Sequence, residues 1–348
     1  MKRILLLYTG GTIGCEGTPL APMSAERFKH CLTALALMPQ DVVCELQALP
    51  QPLDSATMQP GDWLDITASL LDAWASFDGF VVLHGTDTLA YTAAALSFLL
   101  QGADKPVVFT GSQYPLSAVQ SDAPRNIADA IVAAAAAAPG LTEVSVCFAG
   151  RLLRGNRCIK RSVTEPDAFA SPNWPQLGEV ADHIVVLNAS ALLPQPVKPF
   201  DSQAVRAGLQ QVRERLSDYP VWAIQLHPGF PPALLRAALT LHAAPRAWVL
   251  ACYGSGNAPE DADFIAALHE ARARGVVVVA VTQAAHGGVD LTTYRTGAGL
   301  AQAGVISGRD MTLPAALTKL QLLLAQGLSQ DEVITRLSQP LAGEMSPG

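Results

Sequence analysis

No apolar stretch of the chain approaches the roughly 18 to 20 residues needed to span a bilayer, although half of its residues are hydrophobic. That pattern belongs to a soluble globular protein, and a membrane partner is not expected. Basic charge is also scarce. With 23 Lys and Arg against 30 Asp and Glu, the formal charge is −7, so no cationic surface is available to hold a phosphate backbone and no nucleic-acid partner is expected. The charged opening Met1-Lys2-Arg3 leads into an apolar segment that stops at Thr9-Gly10-Gly11, too short for a signal-peptide core. Six cysteines, Cys15, Cys31, Cys44, Cys147, Cys158 and Cys252, contain no C-x-x-C pair and no neighbouring histidine pattern. Neither a metal site nor a dense disulfide framework is therefore expected, and reduced thiols in a cytoplasmic setting fit best. Gly10, Gly11 and Gly14 do not spell G-x-G-x-x-G, and no Lys-Ser or Lys-Thr follows them. No cofactor is expected, and a small polar molecule is the expected substrate class.

What is present is alternation. Short apolar runs at Ile4 to Tyr8, Phe80 to Leu83, Val107 to Thr110, Val144 to Phe148 and Ile184 to Leu187 predict buried strands. Between them, Ser24 to Leu37, Asp62 to Ala75, Leu89 to Leu100 and Asn126 to Ala138 predict helices, the last ending at Pro139-Gly140. A second series follows, with strands at Trp222 to Leu226, Trp248 to Cys252 and Val276 to Val281 and helices at Pro232 to His242, Ala262 to Arg274 and Pro314 to Gln326. Strand and helix in alternation predict parallel sheets. At 348 residues the chain exceeds the size of a single core, so the expected fold class is α/β with two domains. These are a larger N-terminal parallel-sheet domain over 1–193 and a smaller C-terminal α/β domain over 220–348. The proline-rich stretch Pro194-Gln195-Pro196-Val197-Lys198-Pro199 opens an expected linker over 194–219.

Two threonines follow predicted strands, each next to glycine: Thr12 in Thr9-Gly10-Gly11-Thr12-Ile13-Gly14 and Thr86 in His84-Gly85-Thr86-Asp87-Thr88. Ligands of open α/β sheets sit past the carboxyl ends of the strands, and glycine admits close approach. Two hydroxyls so placed point to acyl transfer, whereas either motif alone is as well explained by a strand-to-helix turn. One of Asp87 and Thr88 is expected to cap the helix that starts near Leu89. That leaves helix-terminal amides free to stabilise developing negative charge. His84 reads as a hydrogen-bonded structural residue rather than a triad base. Lys160, in Arg154-Gly155-Asn156-Arg157-Cys158-Ile159-Lys160-Arg161, reads as a solvated cation in a basic loop. It gains interest because a threonine nucleophile needs a base.

Over nearly its whole length the chain resembles the bacterial-type L-asparaginases, and among them the cytoplasmic type I enzymes. The similarity is carried by Tyr8 to Gly14, Leu83 to Tyr91, Thr110 to Gln113, Arg154 to Lys160 with Asp167 to Asn173, Tyr253 to Pro259 and Gly304 to Lys319. The resemblance implies hydrolysis of L-asparagine to L-aspartate and ammonia through an acyl-enzyme. Thr12 is then the nucleophile, with Thr86, Asp87 and Lys160 as the hydrogen-bonded set that moves protons and activates water. It also implies that Asp87 takes the substrate α-ammonium, Ser55 the α-carboxylate, and a backbone carbonyl at Ser112 the leaving amide. Asn257 matches a residue that completes a neighbouring subunit's site, which implies a homodimer or homotetramer. As bland alternatives, Ser55 is an ordinary turn residue and Asn257 a left-handed turn asparagine. The chain departs from the family in the lid segment Cys15 to Pro22, which is shortened and lacks the usual tyrosine. Tyr8, on a strand, is not expected to replace it.

Three rivals remain. A glutaminase or related amidase differs by one methylene, worth only about 1–3 kcal/mol of discrimination in an apolar pocket. An inactive amino-acid sensor would need no nucleophile and base together. A nucleotide-dependent oxidoreductase lacks its fingerprint.

Overall fold

The computed structural model describes residues 1–34, 41–136 and 140–347. It divides into two compact units, Met1–Leu209 and Gln210–Gly348. In the first, eight strands form one sheet: Lys2–Gly10 (β1), Val42–Leu53 (β2), Gly79–Leu83 (β3), Val107–Thr110 (β4), Val144–Phe148 (β5), Arg151–Arg154 (β6), Gly178–Ala181 (β7) and Ile184–Leu187 (β8). Their spatial order is 8-7-6-5-4-3-1-2. Strands 2, 1, 3, 4 and 5 run parallel, and β6, β7 and β8 are added antiparallel, so the sheet is mixed rather than wholly parallel.

The central strands are buried on both faces, which is why β1 and β3 read as uninterrupted apolar runs. Alternate residues Ile4, Leu6 and Tyr8 share a cluster with Phe28 of helix α1 (Ala25–Ala34) and with Ile127 and Ile131 of α4 (Ala123–Ala135). Helices α2 (Pro60–Ala73) and α3 (Leu89–Leu99) pack on β1 and β5, and Trp74, just beyond α2, stacks on Phe80 with ring centroids 4.8 Å apart. The predicted ends of α1 and α4, Leu35 to Leu37 and Ala137 to Ala138, lie outside the described residues. Ile184 to Leu187 forms a strand as expected, but as an antiparallel edge it leaves Ile184 and Val186 exposed.

The second unit is a four-stranded parallel sheet in the order β9 (Val221–Gln225), β10 (Ala247–Cys252), β11 (Val277–Thr282), β12 (Ile306–Ser307). One face, with Trp248, Leu250 and Val278, is covered by α6 (Ala233–Leu239), α7 (Ala262–Ala273) and α8 (Arg295–Gln302). The intervening residues Val249, Val277 and Val279 face α9 (Leu313–Ala325) and α10 (Gln330–Leu337). The segment 194–219, expected as linker, contains a regular helix, α5 (Ser202–Leu216), and the division between units falls inside it.

The topology places the site. Leaving β1, the chain first runs to the edge strand β2, then returns to the opposite side of β1 for β3, so strand order reverses between β1 and β3. A crevice opens beyond the carboxyl ends of two strands at such a reversal, and open α/β sheets bind ligands there. Thr12 follows β1 and Thr86 follows β3.

Candidate active site

β1 ends in a backbone that only glycine adopts easily. Gly11 has φ 89° and ψ 175° and opens a 3-10 turn, Thr12–Gly14. A Cβ built at Gly11 would overlap Gly85 Cα, and one built at Gly85 would overlap Ser55 Oγ. The Gly11 and Gly85 loops therefore meet backbone to backbone, with the Ser55 side chain packed against Gly85, and side chains at 11 or 85 would push the three loops apart. Two further bonds hold them. The Thr9 hydroxyl donates to the Leu83 carbonyl at 3.0 Å, and the Thr88 hydroxyl donates to the Ser55 carbonyl at 2.8 Å.

Thr88 occupies the N-cap position of α3, but its hydroxyl serves the Ser55 loop instead of capping the helix. Its side chain makes no cap hydrogen bond, and Asp87 is engaged elsewhere, so neither residue expected to cap does so. Asp87 instead accepts from Lys160 Nζ at 2.7 Å, and the same Nζ donates to Thr86 Oγ1 at 2.8 Å. Thr86 is 6% exposed, and the Lys160 side chain 17%. The Thr12 side chain is half-buried, and its hydroxyl has no hydrogen-bond partner among the described residues.

Lys160 does not stand in a solvated basic loop. Arg154 and Arg157, just before it, are buried, each guanidinium lying 4.9 Å over the Trp174 ring, and Arg154 pairs with Glu143 at 2.5 Å. Lys160 is then fixed by antiparallel pairing of Ile159–Lys160 with Phe169–Ala170. Packed cations and a short ribbon give the ammonium a defined place that composition could not reveal.

Ser55 is buried and starts a 3-10 turn whose N-cap, Asp54, accepts from Ala56 N at 2.9 Å. Ser112 is buried, and its hydroxyl donates to the Tyr114 carbonyl at 2.5 Å. The loop before it is held by Asn126, which sequence reasoning treated only as the start of a helix. Asn126 Nδ2 donates to the Gly111 carbonyl at 3.0 Å, and its Oδ1 accepts from Ala149 N at 3.1 Å. Asn257 lies in the second unit, in a turn closed by Tyr253 N to Asn257 O at 2.9 Å, and accepts from the Thr296 hydroxyl at 2.6 Å. The left-handed backbone there belongs to Gly254 and Gly256, not to Asn257.

The lid segment forms a hairpin, Cys15–Glu16 pairing with Ala21–Pro22, and Glu16 is bound by Arg27 at 2.6 Å. Tyr8 is buried beneath it, stacked on Phe28, and donates to the Gly14 carbonyl at 3.3 Å. Burial pushes its phenol well above the ordinary tyrosine range, so Tyr8 braces the turn as a neutral hydroxyl. Among the described residues, no three His, Cys, Asp or Glu side chains gather as a metal site, and no helix is long and apolar enough to cross a membrane.

His84 is fully buried, and its desolvation lowers its pKa from 6.5 to about 4. Unfolded chain takes up this proton below about pH 6.5, folded chain only below about 4, so stability falls as pH drops through that window. The loss amounts to about 3 kcal/mol. Urea unfolding of wild type and His84→Asn at pH 7 and pH 4.5 checks it: the variant should lack this part of the pH dependence.

Comparison with known proteins adds the family. A model described as "Asparaginase, N-terminal" matches residues 3–192, and one described as "Glutaminase/Asparaginase C-terminal domain" matches 220–336. L-asparaginase 1 of Escherichia coli strain K12 is 40% identical, covering 99% of this chain and 98% of its own. The chain belongs to the asparaginase family. Two solved asparaginases share the fold of this family member closely. L-asparaginase I of Vibrio cholerae O1 is 36% identical with a TM-score of 0.85, covering 99% of each chain. The thermostable L-asparaginase of Thermococcus kodakarensis is 34% identical with a TM-score of 0.85, covering 99% of this chain and 100% of its own.

Proposed function

We propose that the protein hydrolyses the side-chain amide of L-asparagine to L-aspartate and ammonia. The observation that carries this reading is the Lys160 ammonium held between the Thr86 hydroxyl and the Asp87 carboxylate at 2.8 and 2.7 Å, beside the Gly11–Gly85 contact that brings Thr12 alongside. In the first step Thr12 Oγ bonds to the carboxamide carbon, the C–N bond breaks, and the hydroxyl proton departs with the nitrogen as ammonia. In the second, water adds to the Thr12 ester and restores the hydroxyl as aspartate leaves. Thr86, Lys160 and Asp87 carry protons and orient that water, and backbone amides at Thr86 receive the oxyanion.

Substrate recognition follows from what each group has left to offer. Asp87 gives Oδ1 to Lys160, and its second oxygen suits an α-ammonium. Ser55 presents its hydroxyl at the Gly85 backbone, a placement that suits an α-carboxylate. The Ser112 hydroxyl is committed to Tyr114, leaving its carbonyl as acceptor for the amide NH₂. Asn257, with its carbonyl oxygen taken by Thr296, has its NH₂ available to a neighbouring subunit's site in a homodimer or homotetramer. Six free cysteines accord with a cytoplasmic setting.

Glutamine is the second reading, favoured by the C-terminal family description. Ammonia release with L-asparagine, L-glutamine and D-asparagine tests both. Highest kcat/KM for L-asparagine, with no metal or cofactor added, is expected. A flat profile overturns the asparaginase reading, and a maximum at glutamine replaces it with the second.

A further inference from the structure

The proposed reaction needs the Thr86 amide aimed at the oxyanion, and the flexible glycine before it does not aim it by itself. His84, one residue before the Gly85–Thr86 peptide, leaves β3 with its backbone N–H bonded to the Thr110 carbonyl at 2.9 Å. Its ring lies near Phe109, centroids 5.9 Å apart, and its Nε2 edge rests 3.1 Å from Met58 Sδ. The ring is fully buried and cannot reorient without unpacking.

Nδ1 sits 2.7 Å from the Gly85 carbonyl oxygen. Both ring nitrogens face acceptors, but the carbonyl oxygen at 2.7 Å is a far stronger one than the Met58 thioether at 3.1 Å, which assigns the single hydrogen of the neutral ring to Nδ1 and leaves Nε2 bare. The bonded oxygen belongs to the peptide linking Gly85 and Thr86. In a trans peptide the C=O and N–H point in opposite directions, so drawing this oxygen toward His84 turns the Thr86 N–H to the other side. That N–H meets no acceptor among the described residues. The peptide needs such a restraint because Gly85, which must be glycine to clear Gly11 and Ser55, gives it unusual rotational freedom.

Resting on the asparaginase reading, we infer that His84 is a positioning residue whose Nδ1–H holds the Gly85 carbonyl and thereby aims the Thr86 amide at the oxyanion of the reaction. Neither substrate nor reacting atom touches it.

Two variants separate this role from simple packing. Asparagine places an N–H near the Nδ1 position, whereas glutamine fills more of the space but carries its N–H toward Met58. His84→Gln should lower kcat by about 10- to 100-fold with KM changed less than about threefold. His84→Asn should restore kcat to within about threefold of wild type even if its unfolding midpoint is the lower of the two. Equal losses in both variants, or losses that follow the unfolding midpoints, overturn the inference. A readout without turnover keeps it separate from the proposed activity: ¹⁵N shifts of His84 should report protonated Nδ1 and bare Nε2. The opposite tautomer overturns the role of His84 even in an active enzyme. The expected tautomer in a wild-type protein that releases no ammonia supports the strut and removes the asparaginase reading.

Discussion

Thr12→Ala and Thr86→Ala are each expected to lower kcat for L-asparagine by at least about 10³-fold, with the fold retained. Thr12 follows a glycine turn and presents a hydroxyl with no bonding partner among the described residues, so removing its oxygen costs the fold little and the covalent route everything. Thr86 is different in kind. It is buried and bonded to Lys160, so its loss leaves the ammonium with Asp87 alone and breaks the path for the proton. Because the two act on one covalent cycle, the double variant should be scarcely worse than either single one. Steady-state ammonia release, alongside thermal unfolding of each variant, is the measurement. Turnover within tenfold of wild type in either variant would falsify its assigned role.

Glu344→Ala is expected to destabilise the second unit by about 3–5 kcal/mol. Lys319 and Glu344 are both fully buried there, Nζ to Oε1 at 2.5 Å. The ammonium also donates to the Leu337 and Gln339 carbonyls at 2.9 and 2.6 Å, and the carboxylate accepts from the Leu341 and Ala342 amides. Burial lowers the Lys319 pKa below the ordinary lysine value, and Glu344 acts against that shift. Removing the carboxylate strands a positive charge in the core and frees the segment that closes the chain after α10. Replacing both partners, Lys319→Met with Glu344→Gln, should cost clearly less, since no unpaired charge remains. Urea denaturation of single and double variants decides. A single-variant loss under about 1 kcal/mol would show that the ion pair contributes little.

How far the sequence could be read depended on burial. β1, β3, β4 and β5 are evident because strands covered on both faces need unbroken apolar residues, and their observed limits match the apolar runs to within two residues. β2 escaped notice because it is an edge strand alternating half-buried and exposed residues. β6 escaped because it returns after a tight reversal at Ala149 and Gly150, both with positive φ, straight from the end of β5. α5 was hidden behind prolines that end before it starts, and its polar surface reads as linker.

The site divides along the same line. Residue types and their neighbours by themselves marked Thr12 and Thr86, since a hydroxyl beside glycine at a strand end is a local pattern written in consecutive residues. Resemblance gave Asp87 and Lys160 their catalytic roles and singled out Ser55, Ser112 and Asn257. Only the tertiary structure decided that Lys160 reaches Thr86 across 74 positions, that Thr88 ties down Ser55 rather than capping α3, and that Asn126 braces the Gly111 loop. The reason is physical. Local patterns follow from backbone sterics and burial within one element, whereas a contact between distant residues exists only once strand order and packing have set where their loops emerge.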